Sequence, residues 1–212
     1  MALFFKKEIA EETLLGIWHI EESADWFRSQ LMLDEKENEL IDAIKHPQRK
    51  LHWLSSRVLI RTLMQTNQFI HLENDLNGKP VIRNFPIELS LSHSADFSAL
   101  LLSKKFKVGI DIEKMDPKVL RIQHKFVSEE ELKWVSEEGR VEQLYAIWCA
   151  KEAMYKLYGQ KKLDFRQHLF VDRFDYAASG LIRGKILKGD YSLELTVHYE
   201  LLENYMTAYV LQ

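Results

Sequence analysis

The period of apolar and polar positions changes along the chain, and the changes mark its elements. Residues 16–20 read as a first strand, and residues 23–31 and 34–44 repeat apolar side chains at helical spacing. His46-Pro47 breaks that pattern and opens a longer helix over 48–66, because proline suits a first helical turn. Along it Leu51, Leu54, Val58 and Met64 form an apolar stripe, with Arg57 and Arg61 on another face. Asn77-Gly78 signals a turn that Pro80 closes, and strands follow over 88–92, 97–102 and 108–113. Helices over 117–126 and 129–135 lead to a long helix over 140–158, with Gly159 as its C-terminal cap. From Leu169 on, four strands are expected, with turn signals at Ser179-Gly180 and Gly189-Asp190.

The order is strand, helices, strands, and then strands, helices, strands again. This predicts an α+β protein of two similar halves, 1–104 and 105–212, joined near Lys104-Lys105. Each half is expected to pack a small, mostly antiparallel sheet against a long helix.

Candidate chemistry lies in two separated segments. In Gly109-Ile110-Asp111-Ile112-Glu113 the acids alternate with apolar residues, so a half-buried strand sets Asp111 and Glu113 side by side. In Trp148-Cys149-Ala150-Lys151-Glu152-Ala153-Met154-Tyr155-Lys156, Glu152 and Lys156 share a helix face. A surface ion pair and an exposed acidic strand would be the plain explanations. The apolar neighbours Val108, Ile110, Ile112, Trp148 and Ala153 instead place the carboxylates at a core boundary, where unpaired charge is costly. Three carboxylates beside a lysine suit Mg2+, which keeps several waters and binds substrate phosphates. Ser128-Glu129-Glu130-Glu131 is a capping box, which by itself accounts for Glu131.

Composition narrows the field. The 212 residues are 46% hydrophobic and can bury a sizeable core. A net charge of -3 gives no reason to expect nucleic acid or a membrane surface as partner. The one cysteine, Cys149, excludes an intramolecular disulfide and reads as a buried structural thiol of a reducing compartment. No CxxC or HExxH supports zinc, and no segment reads as a leader or membrane span, so a cytoplasmic monomer is expected.

G-I-D-I-E followed by W-x-x-K-E-A-x-x-K resembles the signature of the 4'-phosphopantetheinyl transferases, of the longer, surfactin-synthetase-activating type. Gly78-Lys79-Pro80, Ser90-Leu91-Ser92-His93-Ser94 and Phe126-Val127-Ser128 leading to Glu131 match in the same order, so the likeness runs from about Trp18 to the C-terminus. It implies a pseudo-twofold fold with the active site between the halves. It also implies transfer of the phosphopantetheine arm of coenzyme A to a serine of an apo acyl or peptidyl carrier protein, with release of 3',5'-ADP. Asp111, Glu113 and Glu152 would hold Mg2+, and Lys156 would reach the same phosphates. Glu131 would be either the base that deprotonates the acceptor serine or only a cap, with a metal-bound water as the other base. Lys79, Ser92 and His93 would meet phosphates of coenzyme A, and Arg49, Lys50 and Arg57 stand on the helix that supplies cations for the 3'-phosphate. After Gly159 the family often has Gly-Lys-Gly, whereas this chain reads Gln160-Lys161-Lys162-Leu163, which bears on contacts to the pantetheine arm. A non-catalytic carrier-binding module of the same fold and a metal-dependent nuclease are the alternatives. The intact acids and Lys156 oppose the first, and the charge balance opposes the second.

Overall fold

A computed structural model describes residues 3–212, so the first two residues of the expected N-terminal half lie outside the described residues. The chain opens with an antiparallel pair, β1 (Leu3–Ala10) and β2 (Thr13–His19). Three helices follow: α1 (Ala24–Ser29), α2 (Glu35–Ala43) and α3 (Pro47–Met64). Each start is local chemistry. Ser23 caps α1, Asp34 and Glu37 form a capping box on α2, and Pro47 takes the first turn of α3. A small hairpin of β3 (Leu72–Asn74) and β4 (Pro80–Ile82) turns at Gly78, where φ is +88°. Then come β5 (Glu88–Ser94), β6 (Phe97–Ser103) and β7 (Val108–Lys114).

Short helices α4 (Val119–Ile122) and α5 (Glu129–Leu132) precede the long α6 (Arg140–Tyr158), which Gly159 ends in the left-handed conformation at φ +68°. The tail forms β8 (Leu169–Val171), β9 (Ser179–Lys188), β10 (Tyr191–Leu202) and β11 (Tyr205–Leu211).

The strands form antiparallel sheets in the orders β1-β2-β6-β5 and β7-β11-β10-β9-β8, besides the β3-β4 hairpin. Helix α3 packs on the first sheet, burying Leu54, Val58, Leu59 and Leu63. Helix α6 packs on the second, burying Leu144, Ile147, Ala150, Ala153, Met154 and Leu157. A third cluster, including Ile17, Phe97, Leu101, Val108, Ile110, Ile112 and Tyr205, joins the two sheets. The chain is therefore α+β with antiparallel sheets, as the element order predicts.

Four expectations are corrected. The first sheet starts thirteen residues earlier than the 16–20 strand, because β1 alternates on an edge and buries little. The helix expected over 117–126 stops at Ile122 and continues only as a 3-10 turn, Gln123–Lys125. The backbone leaves regular helix at Ile122, where φ is -108°, and Val119 and Phe126 are both buried in one core cluster. The helix over 129–135 shortens to one turn. Ser179-Gly180 is not a turn: Gly180 sits inside β9, where a Cβ would crowd the Tyr199 ring at 2.9 Å.

Candidate active site

The site forms where β5, the edge of the first sheet, runs beside β7, the edge of the second, with α6 beneath. Gly109 makes the approach possible. A Cβ there would collide with the Ala153 carbonyl and stand 2.9 Å from Leu157 N, so β7 lies backbone-to-backbone on α6. The next residues then carry their carboxylates to Lys156 and Glu152.

Lys156 Nζ donates to Asp111 Oδ1 at 2.8 Å and to the Ile110 carbonyl at 2.9 Å. Ser92 Oγ donates to the same Asp111 oxygen at 2.8 Å, and Ser94 Oγ donates to Glu113 Oε2 at 2.9 Å. Asp111 is 3% exposed, and its Oδ2 has no hydrogen-bond partner among the described residues. A buried anionic oxygen left unpaired is costly and asks for a cation or a donor. Burial, and then the charge of Asp111, push Glu152 up to about 7 from 4.5. The same two causes raise Glu113, against hydrogen bonds from Ser94 and Trp148.

Among the described residues no group of three His, Cys, Asp or Glu side chains is gathered at metal-ligating distance. The donor set nonetheless fits Mg2+. It is all oxygen, it offers the orphaned Asp111 Oδ2, and its acids repel one another. Mg2+ is commonly held by one or two carboxylates with waters and substrate phosphates, and needs no complete protein cage.

Two cavities lie close to this cluster, one lined by His93 and the other by Lys156. One, of about 600 Å³, opens between α2, α3 and β5, with Arg49, His52, Trp53, Arg57, Leu91 and His93 in its wall. Arg57 is ion-paired to Glu37 at 3.3 Å and lies 3.2 Å over the Trp53 ring, and its burial lowers it to about 10. His93 stacks on His52 at 4.2 Å, and loss of hydration, then the His52 charge, hold it well below the ordinary imidazole range. The second cavity, of about 220 Å³, is mostly apolar and lies between Lys79, Leu89, Tyr155, Lys156 and the segment from Gly159 to Lys161. Pro80 and Leu91 border both, so the two adjoin and lead from the arginines to Lys156.

The structure thus gathers Asp111, Glu113, Glu152, Lys156 and Ser92 at one place, Arg49, Arg57 and His93 at the larger cavity, and Lys79 at the smaller. Lys50 is half-buried on α3 and lines neither cavity. Glu131 lies apart from this group. It is 3% exposed, its Oε2 accepts from Ser128 N and from Lys151 Nζ, both at 2.7 Å, and its Oε1 accepts from Val171 N at 3.0 Å. Sequence reading left Ser94, His52 and Trp53 unassigned. Signals for them exist in the period-two serines of β5 and in the four-residue spacing of Trp53 and Arg57.

The sequence model of the 4'-phosphopantetheinyl transferase superfamily matches residues 107–210, the half that carries the acids and α6. Over that segment the chain is similar to the 4'-phosphopantetheinyl transferase superfamily. It is 33% identical over 118 residues to the 4'-phosphopantetheinyl transferase AcpT of Escherichia coli K12, covering 52% of this chain and 59% of that protein. With the 4'-phosphopantetheinyl transferase psf-1 of Bacillus pumilus it shares 34% identity over 116 residues, 50% of this chain and 49% of the relative. With gsp of Aneurinibacillus migulanus it shares 29% over 110 residues, 50% and 46%. The chain thus spans about half the length of the curated relatives it matches.

Proposed function

We propose that this protein transfers the 4'-phosphopantetheine arm of coenzyme A to a serine of an apo carrier protein and releases 3',5'-ADP. The observation that carries the reading is the meeting of Asp111, Glu113, Glu152 and Lys156 close to His93, which lines the larger cavity together with Arg49 and Arg57. The matched superfamily half contains that acid–lysine cluster.

The two adjoining cavities divide the substrate. The larger, with two guanidinium groups, the Trp53 ring and His93, suits an aromatic base and its phosphates. The narrower, apolar one suits an extended arm running past Tyr155 and Gln160. The pyrophosphate then lies at Lys156, whose ammonium is aimed into the site by the Ile110 carbonyl and Asp111. There Lys156 donates to phosphate oxygens and offsets the charge that develops on the leaving 3',5'-ADP. Asp111 Oδ2, Glu113 and Glu152 are the groups that would hold Mg2+, which supplies charge neutralisation on the pyrophosphate when bound. Lys79, ion-paired to Glu88 at 3.3 Å on the wall of the narrow cavity, meets the same chain of phosphates from the other side.

The N-terminal half, 1–104, then binds coenzyme A and the C-terminal half, 105–212, carries the chemistry. A pseudo-twofold relation between them is supported by the repetition of one antiparallel sheet and one long helix, α3 and then α6. For Glu131 the contacts favour the capping reading over the base: both oxygens are engaged by Ser128, Lys151 and Val171. The buried Cys149 thiol, pushed up by burial, fits a structural role in a reducing, cytoplasmic setting.

The test is release of 3',5'-ADP from coenzyme A. It should require apo carrier protein and Mg2+ together, and fail with a carrier protein whose acceptor serine is replaced by alanine. Release that ignores that serine would point to simple hydrolysis and against the transferase reading.

A further inference from the structure

Strand β5 turns alternate residues to opposite sides, and one side carries Ser90, Ser92 and Ser94. All three reach across to β7, where no backbone ladder joins the two sheets. They do so differently. Ser90 Oγ only accepts, from Ile110 N at 3.0 Å, and so pins one strand against the other. Ser92 Oγ donates to Asp111 Oδ1, and Ser94 Oγ donates to Glu113 Oε2 while accepting from Lys114 N at 3.0 Å. The amide hydrogen of Lys114 occupies one lone pair of Ser94, which leaves the hydroxyl proton directed at the carboxylate.

We propose that Ser92 and Ser94 are positioning residues for the metal-binding carboxylates, each fixing one oxygen so that the other faces the cation. This rests on the metal reading given above. Asp111 shows the arrangement most completely: Oδ1 takes both Ser92 and Lys156, and Oδ2 is left buried and unpartnered. A carboxylate held at one oxygen loses the rotation that would otherwise spread it over several geometries. Partners of this kind, one step behind the ligands, commonly set metal affinity within 10–100-fold. Ser92 therefore spends its proton on Asp111, and the phosphate contact falls to its outward-facing neighbour His93.

Mn2+ titration followed by electron paramagnetic resonance, at fixed coenzyme A, tests this on the whole protein. Ser94→Ala should weaken Mn2+ binding about ten-fold, and Ser94→Thr, which keeps the hydroxyl, should restore it. Ser90→Ala should lower the melting temperature and leave Mn2+ affinity at the wild-type value. Coenzyme A affinity measured without metal should be the same in wild type and Ser94→Ala. The proposal is overturned if Ser94→Ala binds Mn2+ as wild type does, or if Ser90→Ala weakens it equally, since the serines would then only hold the strands. Asp111→Ala separates the two levels. If it too keeps wild-type Mn2+ affinity, the metal assignment itself fails; if only Ser94→Ala does, the positioning role alone fails.

Discussion

Gly109 and Ala153 touch through their backbones, and this contact sets the acids of β7 against the helix that carries Glu152 and Lys156. A methyl group at position 109 has no room, because its neighbours are main-chain atoms that cannot rotate away. Gly109→Ala is therefore expected to destabilise the protein by about 1–3 kcal/mol. It should also reduce turnover more than stability, since a shift of about an ångström in the acids disturbs the positioning. Thermal melts alongside steady-state kinetics on the folded fraction check this; unchanged turnover in a folded Gly109→Ala protein would contradict it.

A second expectation concerns the buried pair of Glu131 and Lys151. Lys151 is fully buried and donates to Glu131, to the Phe126 carbonyl at 2.8 Å and to the Phe165 carbonyl at 3.0 Å. Burial lowers Lys151 and the Glu131 charge opposes the shift, so the ammonium depends on its partner. Glu131→Gln should cost about 3–5 kcal/mol, the usual result of leaving a buried charge unpaired. Glu131→Gln combined with Lys151→Met should recover much of that loss. Turnover per folded molecule should stay near wild type in both. A large drop in kcat at an unchanged melting temperature would instead mark Glu131 as the base.

Both long helices and eight of the strands are legible in the sequence, because their periods are unbroken and their ends carry Pro47, Asn77-Gly78 and Gly159. β1 is not, since an edge strand that buries little has a weak apolar pattern. The 117–126 helix misleads for another reason: Val119 and Phe126 suit helical spacing and are both buried, yet the backbone leaves regular helix at Ile122. The acids and Lys156 are legible from spacing and from the family likeness. The part played by Ser94 is not, because it depends on which strand lies beside β5, and that neighbour is set by long-range packing. Glu131 was ambiguous in the sequence for the same reason, its partner Lys151 lying twenty residues on.

Metal-free protein should show the strain of its carboxylates as a pH dependence. Folding raises Glu152 from 4.5 to about 7, so the folded state holds that proton more tightly than the unfolded chain. The resulting stability is complete below pH 4.5 and is lost as pH rises through about 7. Relative to wild type, Glu152→Gln should thus gain stability between pH 5 and pH 8, by at most about 3 kcal/mol. Paired melts across that range check it; a difference that is flat with pH would contradict the shift.

A further prediction takes the exposed cations beyond the acids as the docking surface for the carrier protein of the proposed reaction. Lys118, Arg121 and Lys125 are all exposed, with Leu120 and Ile122 each 37% exposed among them, although the segment is only briefly helical. Arg121→Glu should raise KM for an acidic carrier protein several-fold and leave KM for coenzyme A unchanged. The defect should shrink as salt rises, because such charges act mainly by steering. Unchanged KM for both substrates at low salt would place the docking surface elsewhere.

The central claim is that these acids and Lys156 serve phosphopantetheine transfer. Its most direct test is the intact mass of an apo carrier protein after incubation with this protein, coenzyme A and Mg2+. The expected result is a gain of one phosphopantetheine arm on the acceptor serine, absent when Asp111→Ala replaces the wild type. An unmodified carrier protein with a folded, coenzyme A-binding wild type, tried across fatty-acid, polyketide and peptide-synthetase carriers, would contradict it.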